Sequence, residues 1–140
     1  MSYAGFWKRF MASILDTLVL LVAFFIFLIF IGLWVIAIGA DGHDDTLLTI
    51  MLGLIAFTVR LFYFAFMESG PTQATLGKMA VGIKVTDLAG NRIDLSKAVL
   101  RYLAKLLSEF TLGVGYVMAG FSPQKQALHD MIAGCLVVDK

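Results

Sequence analysis

From Leu18 to Ala40 the chain carries no charged side chain, and this run limits the possible folds more than any other feature. It exceeds the roughly 20 apolar residues that a helix needs to cross the hydrocarbon core of a bilayer. The whole chain of 140 residues is 60% hydrophobic and 15% charged. A water-soluble domain of that composition has too little polar surface to cover its core. Lys8 and Arg9 precede the run as basic residues precede a secretory signal. The run is nevertheless longer than the roughly 7 to 15 residues of a signal core, and it ends at Gly39, Ala40 and Asp41 without a clear small-x-small cleavage site. It reads as an uncleaved anchor.

The pattern predicts a first helix over about 10–40, with Tyr3, Phe6 and Trp7 at its start and Trp34 near its end, where amphipathic rings suit the two headgroup layers. A short acidic turn, Asp41, Gly42, His43, Asp44 and Asp45, leads to a second helix over about 47–67, interrupted by one charge, Arg60. Lys8 and Arg9 flank the first helix. Lys78, Lys84, Arg92 and Lys97 follow the second, and the turn between has neither Lys nor Arg. The positive-inside rule then places both termini in the cytoplasm and the acidic turn outside, for a multi-pass protein of the inner membrane.

After Ser69, Gly70 and Pro71 the period changes. Val81, Ile83 and Val85 alternate with Gly82, Lys84 and Thr86, and an Ala-Gly-Asn turn precedes Ile93, so a small cytoplasmic hairpin is expected over about 80–95. The β-branched residues from Cys135 to Val138 offer a third strand. Between them, about 96–121 reads as an amphipathic helix followed by a re-entrant piece. Arg101, Lys105, Ser108 and Glu109 recur at helical spacing, and the apolar stretch from Phe110 to Phe121 is too short to cross. The alternative is one tilted third span from Leu95 to Phe121. A C-terminal turn and strand over about 122–140 completes a single α-helical integral membrane domain.

Two charges lie within apolar surroundings. Counting back from Glu68 puts the backbone of Arg60 roughly 12 Å from the cytoplasmic boundary, and counting on from Arg9 puts Asp16 roughly 10 Å from it. An unpaired charge at that depth costs about 2.5 to 3.5 kcal/mol, so an ion pair between Asp16 and Arg60 is the economical arrangement. The plain alternative for Asp16 is a helix that enters the bilayer only near Leu18. Beyond Thr17 the first helix has no ionisable or hydroxyl side chain up to Asp41, so one protomer lacks a continuous polar path.

Other features restrict function by exclusion. A net charge of +1 gives no basic field for nucleic acid. Cys135 is the only cysteine, which removes an intrachain disulfide and a cysteine zinc cage. Thr75-Leu-Gly-Lys78 looks like the end of a phosphate loop, but Gly70 precedes Gly77 by seven residues where the motif needs about five, and Met79 stands at the magnesium-ligating position. His129 and Asp130 fit a cap and its hydrogen-bond partner, with the alternative that Asp130 pairs with Arg9 and ties the C-terminal turn to the start of the first helix, and the acidic turn fits a solvated loop. No hydrolase template matches, no nucleophile and base can be paired, and no cofactor or metal site is expected. Gly32 and Gly39 permit close helix contact without forming a Gly-x-x-x-Gly motif, which leaves a homo-oligomer open.

Read together, Gly5-Phe-Trp-Lys-Arg9-Phe, Ile14-Leu-Asp16, Glu68, Thr75-Leu-Gly77-Lys78, Gly82-Ile-Lys-Val, Leu100-Arg101-Tyr, and Ser122-Pro-Gln-Lys125-Gln-Ala-Leu-His129-Asp130 with Ala133-Gly134 resemble the RDD family of prokaryotic inner-membrane proteins. They cover most of the chain in order, with Cys135 where that family usually has Thr. The resemblance makes Arg9, Asp16 and Asp130 the name-giving residues. It also implies, from relatives described as monovalent cation/proton antiporters, a transport-related protein working in an oligomer. Asp16 would then carry the proton or cation, and Arg60 or Arg9 would tune its charge. The rival expectation is a non-transporting scaffold whose amphipathic helix and cytoplasmic hairpin meet lipid or a partner.

Overall fold

The computed structural model describes residues 2–37, 45–110 and 114–140, with side chains described except at 45, 109–110 and 114–117. Asp41 to Asp44 of the acidic turn, together with Gly39, lie outside the described residues. Helix α1 (Phe6–Ala37) and helix α2 (Asp45–Ser69) dominate the fold. Both are long and apolar enough to cross a bilayer, and the share buried in their most apolar windows is 0% and 6%. A core helix of a soluble protein would bury those residues, whereas Phe25, Ile29, Phe30 and Trp34 of α1 each expose more than half of their surface. Helix α1 begins at Phe6 rather than near residue 10, so Lys8 and Arg9 belong to its first turns.

The remaining elements gather at one end of the two long helices. Helix α3 (Leu76–Ala80) starts at Thr75, whose hydroxyl accepts from the Lys78 amide, and packs on α1. Sequence reasoning missed this helix because five residues are too few to show helical periodicity. Strand β1 (Ile83–Asp87) follows, then helix α4 (Leu95–Phe110), helix α5 (Val114–Phe121), helix α6 (Leu128–Ala133) and strand β2 (Cys135–Asp139). Helix α4 packs on both α2 and α6. Arg101 meets Glu68, Tyr102 stacks on Phe64 and touches Phe57, and Lys105 covers Phe64. Helix α4 thus climbs α2 antiparallel, and α5, which contacts α4, α6 and α1, returns the chain to the starting level.

The expected hairpin does not form. Asp87 closes its own turn, accepting from the amides of Ala89 and Asn91, with Gly90 at φ 86°. Asp94 then caps α4 by accepting from the Lys97 amide, which leaves Ile93 too little extended chain to pair. Ile93 instead enters the core. The partner of β1 is β2, antiparallel with Val85 opposite Val137, and Tyr3 bridges to Val138 on the other edge of β2. The described sheet therefore has two strands plus one bridging residue. Ile83, Val85, Cys135 and Val137 supply its core face, packed with Ala4, Ala12, Ala98 and Ala133.

Candidate functional site

Beneath the long helices, five helices each give one charged side chain to a single alternating chain. Arg9 of α1 donates to Asp130 of α6. Asp130 receives Nε and Nη2 of Arg101 of α4 at 2.8 and 2.7 Å on its other oxygen. The remaining Nη1 of Arg101 donates to Glu68 of α2 at 2.5 Å, and Glu68 in turn accepts from Lys78 of α3. The sequence runs plus, minus, plus, minus, plus. Glu68, Arg101 and Asp130 are buried and Arg9 and Lys78 nearly so. Such groups are tolerated only because each carboxylate meets two cations.

The guanidinium of Arg101 makes this arrangement possible, because its planar fork serves two carboxylates at once. Burial alone would push its pKa down, but Asp130 and Glu68 outweigh burial and push it above the usual arginine value. Burial likewise raises the Asp130 carboxyl, and Arg101, His129 and Arg9 overcome that and hold it well below the ordinary carboxylate range. Asp130 also accepts from the Ala127 amide at 3.2 Å, capping the first turn of α6. Its position is therefore fixed by its own helix before any cation arrives.

Asp16 forms a second, separate knot. It is buried, and its carboxylate accepts from the Tyr63 hydroxyl at 2.9 Å, the Gly77 amide at 2.7 Å and the Thr75 hydroxyl at 2.6 Å. The expected ion pair with Arg60 is absent, because neutral donors already occupy both oxygens. Equal depth on two helices located Asp16 but said nothing of α3, which brings an open helix end and its capping threonine against the carboxylate. Gly77 permits that approach. A Cβ there would stand 2.9 Å from the Asp16 amide nitrogen and closer still to the Ala12 carbonyl oxygen. Arg60 is half-buried on α2 and close enough for its charge to be felt by Lys105.

The structure thus joins Arg9, Glu68 and Asp130 in one network, holds Asp16 in another, and leaves Arg60 outside the Asp16 knot. Sequence reasoning passed over Arg101 and Lys78 as site residues. Arg101 read as one polar position of an amphipathic face, and Lys78 as part of a topological signal. Among the described residues no cluster of three or more His, Cys, Asp or Glu side chains is placed to hold a metal ion.

His129 is buried beside the network, its Nδ1 3.3 Å from the Ser108 hydroxyl and its Nε2 3.6 Å from Asp130. Burial, aided by Arg101, Lys105 and Lys78, overcomes the pull of Asp130 and pushes its pKa down from 6.5 to about 3. The folded state therefore refuses a proton that the unfolded state accepts, so stability present above pH 6.5 is lost as pH falls toward 3. Between pH 6.5 and 5 the loss approaches about 1.4 kcal/mol per pH unit. Thermal unfolding in detergent should show this slope in the wild type and a flatter one in His129→Gln. Equal slopes would remove His129 as the source.

Two long exposed apolar helices over a buried charged layer define a helical membrane protein. The chain belongs to the RDD family, whose model matches residues 3–134. It is 31% identical to the uncharacterized protein YxaI of Bacillus subtilis (strain 168), over 98% of this chain and 97% of that one. It is likewise 31% identical to the uncharacterized membrane protein YteJ of the same organism, over 98% and 81% of the two chains. The uncharacterized protein YckC, also of that organism, is 28% identical over 96% of this chain and 83% of its own. No solved structure matches the chain at a significant level.

Proposed function

We propose that this protein is a non-transporting, non-enzymatic membrane scaffold. In this reading α1 and α2 both cross the inner membrane, the two termini and the charged layer face the cytoplasm, and the α4–α5 hairpin enters the near side of the bilayer without crossing it. The carrying observation is that every described carboxylate of the buried layer is already engaged. Asp130 and Glu68 are each shared by two cations, and both oxygens of Asp16 accept from neutral donors. A carrier needs a carboxylate that its cargo can reach, and α1 offers no further ionisable or hydroxyl side chain from Leu18 to Ala37.

Monovalent cation/proton antiport in an oligomer is the second reading. It draws on Asp16, which is buried and held by neutral groups rather than by an arginine. Against it stands the Gly77 amide at the start of α3, a donor that a bound cation would have to displace. Proton flux driven by sodium or potassium gradients in proteoliposomes separates the two. The scaffold reading expects no flux above empty liposomes for wild type or Asp16→Asn. A wild-type flux abolished by Asp16→Asn would establish antiport instead.

A further inference from the structure

The outer surface changes from polar to apolar at one level on four helices. On α1 the last exposed charge is Lys8, and Phe10, Met11 and Ile14 are exposed beyond it. On α4 it is Lys97, and beyond it every described residue that is exposed is a leucine: Leu100, Leu103 and Leu107. Helix α2 exposes Phe66 and then, past its end, Pro71 and Thr72; α5 exposes Phe121 and then Gln124 and Lys125. The charge network ties these changes together. Lys8 adjoins Arg9, Lys97 lies one turn before Arg101, Phe66 lies two residues before Glu68, and the end of α5 leads into Asp130. Helix α4 is inverted relative to a helix of a water-soluble domain, with Arg101 and Ser108 buried and its leucines outside. Its polar side is used by the network, and its leucine side suits acyl chains, as the exposed sides of α1 and α2 do.

The helices do not reach equally far from that level. Helix α4 runs nine residues past Arg101 to Phe110, about 14 Å, which is roughly half of a hydrocarbon core about 30 Å thick. The eight-residue α5 returns the chain. Beyond them the long helices continue alone. Their buried residues, Ala12, Asp16, Phe64, Ala65, Glu68 and Ser69, all lie in the network half, and no described residue of α1 past Asp16 or of α2 before Phe64 is buried. Among the described residues, one leaflet therefore accommodates α1, α2, α4 and α5, with α3 against α1, and the other accommodates α1 and α2 alone. A helix with its side chains is about 10 Å across, so the protein has about twice the cross-section in the network leaflet. Extra area in one leaflet bends a bilayer until that leaflet is convex. We propose that this protein is a membrane wedge that prefers bilayers whose cytoplasmic leaflet is convex. The proposal rests on the membrane reading above and adds to the scaffold a choice of membrane shape.

The test reconstitutes the full chain into phosphatidylcholine vesicles of mixed diameter. A fluorophore is carried on Lys140→Cys, an exposed position that follows β2 at the network end, while Cys135 is buried. Protein per unit of membrane area, read vesicle by vesicle against a lipid dye, should rise about twofold from vesicles of about 400 nm to vesicles of about 50 nm. In the small vesicles an impermeant quencher should reach most of the label, because the broad end then lies on the convex face. Equal density at all diameters, or enrichment with the label inside, overturns the wedge. A spin label on Leu107→Cys distinguishes that failure from failure of the membrane reading. It should be relaxed by dissolved oxygen and shielded from a water-soluble nickel complex. An oxygen-exposed label with flat density overturns the wedge alone. A label open to nickel shows that α4 stays out of the bilayer, and overturns the wedge together with that part of the scaffold reading. A label shielded from both puts a second copy on the leucines in place of lipid, which also overturns the wedge.

Discussion

Arg101→Met is expected to cost about 3 to 5 kcal/mol, enough to leave much of the protein unfolded at ordinary temperature. The side chain is nearly isosteric along its stem, so the loss is one of charge. Without the guanidinium, Glu68 keeps only Lys78 and Asp130 keeps only Arg9, and two carboxylates remain inside with one side of each unanswered. Arg101→Lys should recover little, because one ammonium cannot place donors on Asp130 and Glu68 together. The diagnostic variant is the triple change Arg101→Met, Glu68→Gln, Asp130→Asn, which removes the stranded charges. Thermal unfolding in detergent should find the triple variant more stable than Arg101→Met alone. If the triple variant is less stable than the single one, the charges are not coupled as the geometry states.

Gly77→Ala ranks second, at about 3 kcal/mol, the upper part of the range for overpacking a closed contact. The added methyl would meet backbone on α1, at the Ala12 carbonyl and the Asp16 amide, and backbone cannot turn aside as a flexible side chain can. Helix α3 would have to withdraw, taking with it the Gly77 amide and the Thr75 hydroxyl that hold Asp16. Gly32→Ala and Gly53→Ala, where nothing stands within 4 Å of the new atom, serve as controls and should leave stability unchanged or slightly raised, since alanine favours helix. A midpoint for Gly77→Ala within a degree of wild type would show that α1 and α3 do not meet so closely.

The long helices were legible because apolar length is a one-dimensional property, and the amphipathic face of α4 because helical periodicity is another. The re-entrant expectation for 110–121 drew on the same kind of evidence, a length too short to cross, and the described part of that stretch is a separate helix, α5, in contact with α4. Two pairings were also legible, Arg9 with Asp130 and the terminal strand in the sheet of β1, whereas the loss of the hairpin was not. Ile93 had the right residue type for a strand, but Asp87 and Asp94 had already claimed the backbone on either side of it. The partner that β1 takes is β2, about fifty residues away along the chain, the segment that its β-branched residues had offered as a third strand and that becomes the second. Asp16 shows the same limit. Its depth was readable, whereas the donors that satisfy it come from a five-residue helix nucleated by Thr75, too short for any periodicity to reveal. Arg101 and Lys78 were missed because only tertiary contact separates a cation facing water from a cation facing a carboxylate.

The span of the Arg9 to Asp130 contact, 121 positions, also sets an order of events during synthesis. Of these elements helix α1 is made before the rest, with no partner for Arg9 yet formed. Glu68 and Lys78 emerge next and can neutralise one another, and Arg101 follows, but Asp130 comes more than a hundred residues after Arg9, together with the strand that pairs with β1 and with Tyr3. Until that segment arrives, the nascent chain carries surplus positive charge on its basic side and an open sheet edge. A product that stops short of residue 130 would keep both. The segment that carries Asp130 and β2 thus supplies the second carboxylate of the network and the partner strand of β1 together.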